Sequence, residues 1–123
     1  MKVEYAHDKV KKQCTDLKEA QKLFGGNKQL AVSLQARINF LMQADTLQDV
    51  ILYKPNRFHN LVNKKGKNLD GYYAIDVKTK MESWRIILQP LTDELHPYES
   101  CNIDTIAKSV KVVEIMEVSD HYE

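Results

Sequence analysis

The chain has 123 residues, 43% of them hydrophobic, and a formal net charge of +1. Such a length holds one domain, residues 1–123, with a modest core. The near-neutral balance excludes a protein that coats nucleic acid by bulk charge, and no apolar run reaches the roughly 20 residues of a membrane span.

The start, MKVEYAHDKVKKQ, has no apolar signal core, so export is not expected. Its KVEYA stretch (2–6) alternates like a short strand. Asp8 then stands where a helix cap belongs. Val10, Cys14, Leu17, Ala20 and Phe24 recur at helical spacing and predict one helix running to the glycine pair at 25–26. Asn27 is placed to cap a second helix. Its Leu30, Leu34, Ile38, Leu41 and Met42 share a face until the pattern fades near Ala44. The two read as a helical hairpin.

A long linking stretch follows, broken by Pro55, Gly66 and Gly71. Within it FHNLV (58–62) is a candidate strand. YYAIDV (72–77) and SWRIILQP (83–90) are clearer ones, joined by the hairpin-sized TKME. LTDELHPYESCNID (91–104) is acidic, contains Pro97 and reads as an excursion, and DTIAKS reads as a helical turn. VKVVEIMEV (110–118) is the last strand, rich in Val and Ile. The order β, α, α, then three or four strands predicts an α+β domain with its helices on one face of a mostly antiparallel sheet. Cys14 and Cys101 lie far apart, outside any CxxC spacing, which suits free thiols in a reduced, cytoplasmic setting.

Charge is unevenly spread. Residues 51–90 hold eight Lys/Arg against three Asp/Glu, and residues 91–123 hold two against eight. A basic middle can mark a phosphate-facing surface, although solvated loop lysines explain the same pattern. Three places there and beyond carry residues able to do chemistry. NRFHNL holds Arg57 and His59, which share a face if extended, among Lys54, Lys64, Lys65 and Lys67. SWRIIL holds Arg85. The terminal SDHY holds Asp120, His121 and Tyr122, directly after a strand.

This set suits RNA cleavage without a metal. One group takes a proton from the 2′-OH, one returns a proton to the 5′-oxygen, and a cation stabilises the phosphoryl oxygens. Histidine titrates in the right range for proton transfer, and arginine's planar fork matches phosphate. Plainer accounts exist for each residue. A lone histidine is usually a surface or core-edge residue, a strand arginine can pair across the sheet, and a chain end can fray. His7, His59, His96, His121 and Cys101 offer metal ligands, but none has HxH, HxxxH or CxxC spacing, so neither a metal nor another cofactor is expected. No nucleophile elbow supports a Ser-His-Asp triad.

RINFLMQADTLQDV, NRFHNLVNKKGK, YYAIDVKTKMESWRIILQP and VKVVEIMEVSDHYE, in that order, resemble the HigB toxins of the RelE/ParE superfamily. The shared features are an R-x-H-x-L segment followed by lysines and glycine, a W-R strand, and a last strand running into Asp, Tyr and His. The resemblance covers nearly the whole chain. It implies a sheet with two packed helices and cleavage of messenger RNA in the ribosomal A site. It also implies neutralisation by a HigA-type helix-turn-helix antitoxin, in a possible heterotetramer. Carried over by position, His59, Arg85 and Asp120 are the catalytic set, with His121 and Tyr122 beside them. The family's frequent ending is Asp-Tyr-His, whereas this chain has Asp120-His121-Tyr122, which leaves open which of the last two faces the cleft. ParE relatives, which bind gyrase without catalysis, and an inactive interaction module of the same fold are the alternatives. The nuclease reading requires His59, Arg85 and Asp120 to meet over one concave patch.

Overall fold

The structure, a computed structural model, describes residues 1–61, 68–99 and 102–122. Within these residues five strands form one mixed sheet in the order β1-β5-β4-β3-β2. They are β1 (Lys2–Tyr5), β2 (His59–Asn60), β3 (Tyr73–Asp76), β4 (Arg85–Leu91) and β5 (Val112–Ser119). The helices are α1 (Asp8–Thr15), α2 (Leu17–Leu23), α3 (Lys28–Gln43), α4 (Leu47–Leu52) and α5 (Ile103–Ile106), with a 3-10 turn at Lys54–Asn56. The chain is thus α+β. β1 runs parallel to β5, while the other neighbours are antiparallel. No helix among the described residues is long and apolar enough to cross a membrane.

The single helix expected over residues 8–24 is two. Asp16 takes extended backbone, and its carboxylate accepts from the Lys18 N–H at 2.8 Å, starting α2 afresh. Short polar side chains compete with the helix for backbone partners, and Thr15-Asp16 places two together. The apolar stripe survives the break, because Val10, Cys14, Ala20 and Phe24 are all buried. Gly25 and Gly26 then turn the chain at φ of 63° and 92°, a conformation other residues resist. Asn27 caps α3 through the Leu30 N–H at 3.1 Å. In α3 the buried stripe is Leu30, Leu34, Ile38 and Leu41, and replacing Leu34 by Ala would cost about 3 kcal/mol. Met42, expected on that face, is 50% exposed, because one step along a helix turns the side chain by about 100° from Leu41.

The sheet has two unlike faces. Ile75, Val77, Ile86, Leu88, Val113, Ile115 and Val118 join the helices in the main core. On the opposite face Leu61, Leu69, Ala74 and Ile87 make a smaller cluster, with Tyr72, Met116 and Tyr122 packed on it. The spacing of core residues in β5 changes from two (113, 115) to three (115, 118). The register shows why. Leu88 faces Ile115 and Ile87 faces Glu117, so Met116 is the extra residue of a β-bulge. α4 is tied to the segment before β5 by the Leu47 N–H to Val110 O and Gln48 N–H to Ala107 O bonds.

Candidate functional site

At one end of the sheet a row of polar residues crosses three strands on the face away from the helices. Asp76 on β3 stands opposite Arg85 on β4, which stands opposite Ser119 on β5. Asp76 is buried between two guanidinium groups. Arg57 Nε lies 2.9 Å from its Oδ2 and 3.1 Å from its Oδ1, and Arg85 Nε lies 3.2 Å from Oδ1. Arg85, 4% exposed, also donates to the carbonyls of Lys80 (3.1 Å), Trp84 (2.9 Å) and Glu82. A third arginine, Arg37 of α3, donates to Asp76 O (3.0 Å), Asn56 Oδ1 (3.0 Å) and Pro55 O (2.9 Å), fastening the 3-10 turn to the end of β3. Burial lowers its pKa, opposed by the nearby Tyr53 and Asp76. A buried carboxylate is tolerated here because cations and donors surround it.

Arg57 reaches Asp76 from a left-handed backbone (φ 48°), which costs a non-glycine residue roughly 1–2 kcal/mol. The same turn aims its carbonyl at His59, whose Nδ1 donates to it at 2.6 Å. A carbonyl only accepts, so Nδ1 carries the proton and the lone pair of neutral His59 is on Nε2. His59 pairs with Ala74 across the β2–β3 ladder, and paired side chains share a face. The imidazole therefore lies on the same side as Asp76 and Ile87. The same face of the sheet carries an open cavity of about 330 Å³, lined by Asn68, Leu69, Tyr72, Ile87, Met116 and Tyr122. The Tyr122 phenol is pushed up to about 12 by burial, then by its hydrogen bond to Glu117 and the charges of Glu117 and Tyr72.

The chain end divides. Tyr122 turns onto the face away from the helices, whereas Asp120 and His121 line a different cavity, of about 390 Å³, with His7, Lys9 and Gln13 of the α1 segment and Trp84. There His121 Nε2 lies 3.3 Å from Asp120 Oδ1. The swapped order of His and Tyr is thus resolved as two directions, one for each cavity.

The three residues expected to converge do not share one patch. Arg85 lies within the ion cluster, and its burial does not present it to a substrate. His59 is on β2 and Asp120 follows β5, three strand spacings or roughly 14 Å apart. Lys54 is exposed on the 3-10 turn, and Arg57 is bound into the ion cluster with 31% of its side chain accessible. Lys64, Lys65 and Lys67 lie outside the described residues. Asp76, Arg37, Tyr72 and Glu117 were not anticipated, and His7 was weighed only as a metal ligand. Asp76 carried a signal, a carboxylate between Ile75 and Val77 in a strand, and so did Glu117, between Met116 and Val118. Among the described residues no three His, Cys, Asp or Glu side chains form a group that could hold a metal ion. Comparison with protein-family models, curated proteins and solved structures finds no match to this chain.

Proposed function

We infer that the protein is an RNA-cleaving toxin of the HigB kind, with the RelE-like fold, acting in the cytoplasm on ribosome-bound messenger RNA; the patch of His59, Arg85 and Asp120 that the sequence reading required is not formed, so the chemistry rests on His59 and Arg57 instead. A HigA-type antitoxin would restrain it. The observation that carries this reading is the setting of His59: a fixed tautomer with its lone pair on Nε2, on the sheet face that also carries a cavity with two tyrosines. In this reading Nε2 takes the proton of a 2′-OH. The 2′-oxygen attacks phosphorus, the bond to the 5′-oxygen breaks, and that oxygen takes a proton from solvent. Arg57 stands beside His59 as a cation for the phosphoryl oxygens, and Tyr72 and Tyr122 offer flat walls to a base. Arg85 positions Arg57 through their shared Asp76. A net charge of +1 gives little long-range attraction, so the ribosome supplies the positioning.

The roughly 14 Å between His59 and Asp120 favours a second reading, a binding module of the same fold without catalysis. Induction followed by mapping of messenger RNA ends separates the two. The toxin reading expects new ends in translated messages, insensitive to EDTA, and a fall of about 10²-fold or more for folded His59→Ala. Growth arrest with no new RNA ends, or full cleavage by His59→Ala, would overturn it.

A further inference from the structure

The cavity between α1 and β5 is walled by a strand edge that β1 leaves open. β1 pairs with β5 only as far as Tyr5 opposite Ile115, so the last residues of β5 face α1 instead of another strand. Five nitrogen-bearing side chains line this space, His7, Lys9, Gln13, Trp84 and His121, of which three bear on charge. The Nδ1 of His7 accepts from the Val10 N–H at 3.2 Å, capping α1. An accepting Nδ1 carries no proton, so Nε2 does, and neutral His7 is a hydrogen-bond donor. Lys9 has no ion pair or hydrogen-bond partner among the described residues. His121 is the third, exposed and held near Asp120.

Two carboxylates also line the cavity, and both are engaged. Asp120 faces His121, and Glu117 accepts from the Tyr122 hydroxyl. Glu117 therefore belongs to one cavity while bonding a residue that lines the other. His121 and Tyr122 are consecutive, with Cα atoms about 3.8 Å apart, yet line different cavities. A single strand of RNA lying over the chain end would meet both.

We propose that the α1–β5 cavity is a second nucleotide subsite, in which Lys9 and His7 Nε2 take a phosphate several nucleotides along the strand from the one held near His59, with Trp84 as an apolar wall for the base. This rests on the RNA reading above and adds a second contact point along the strand. The site supplies binding and no proton transfer.

The test uses uncleavable 2′-O-methyl oligonucleotides titrated into the full chain and followed by NMR. The variant is His7→Ser with Lys9→Gln, since serine keeps a helix cap while removing the ring donor. Affinity for a hexanucleotide is expected to fall about tenfold, with a shallower salt dependence, while affinity for a dinucleotide at the His59 side is unchanged. Equal hexanucleotide affinity in the variant and the unaltered protein would overturn the subsite. The expected loss supports it whether or not His59-dependent cleavage is seen, so the two readings fail separately. No hexanucleotide binding by the unaltered protein likewise overturns the subsite, whereas ribosome-dependent cleavage is decided by the mapping of messenger RNA ends.

Discussion

His59 and His7 sit near the same end of the sheet, and the backbone holds them in opposite tautomers. At His59 a carbonyl demands the Nδ1 proton and leaves Nε2 as the ring's acceptor. At His7 a backbone N–H demands the Nδ1 lone pair and leaves Nε2 as the ring's donor. The two rings are chemically identical, and their roles are assigned by one hydrogen bond each. The carboxylates beside them differ in the same way. Asp76 is 2% exposed between two arginines, whereas Asp120 is 35% exposed beside one histidine. The two carboxylates thus differ in burial, one enclosed by cations and the other partly open to solvent.

Breaking the buried carboxylate gives the largest expected effect. Asp76→Ala leaves Arg85 buried without its counter-charge and is expected to cost about 3–5 kcal/mol in urea unfolding. Asp120→Ala is expected to stay within about 0.5 kcal/mol. Equal losses would erase the distinction between them. Next comes alkaline instability. Burial pushes the Cys14 thiol to about 12, and burial with the neighbouring Cys14 pushes Tyr5 to about 12. The unfolded chain sheds the thiol proton near its ordinary value of about 8.5, and the folded chain retains it, so stability falls as pH rises from about 9 toward 12. Urea midpoints across that range should decline less in Cys14→Ala. The smallest effect sharpens the histidine comparison. His7→Ala removes the α1 cap and is expected to cost about 1 kcal/mol, while His7→Ser is expected to lie within a few tenths of the unaltered protein. Thermal unfolding of the pair measures it, and equal losses would mean that the cap contributes nothing.

Much of the architecture could be read ahead of the structure. The α3 stripe, the alternation of YYAIDV and the Val-rich last strand each state their own period, and a period is a local property. What escaped depends on more than one element. The break at Asp16 is decided by competition between two helical turns and a side-chain cap. The bulge at Met116 is decided by β4, which supplies the register. The ion cluster needs Asp76, Arg57, Arg85 and Arg37 from four separate segments, and no spacing in the sequence brings them together. Arg85 showed the limit most clearly. A strand arginine reads equally well as a phosphate ligand or as a pair across the sheet, and only burial separates the two.

The place of β5 has a consequence for assembly. It is the last strand in chain order but sits inside the sheet, between β1 and β4. As the chain emerges during synthesis, β1 has no strand to lie against and β4 shows a bare edge until β5 arrives. Pairings between such distant segments close late and slowly. Neither cavity is therefore complete in the nascent chain for as long as β5 is missing, because both draw walls from that strand or the residues just after it.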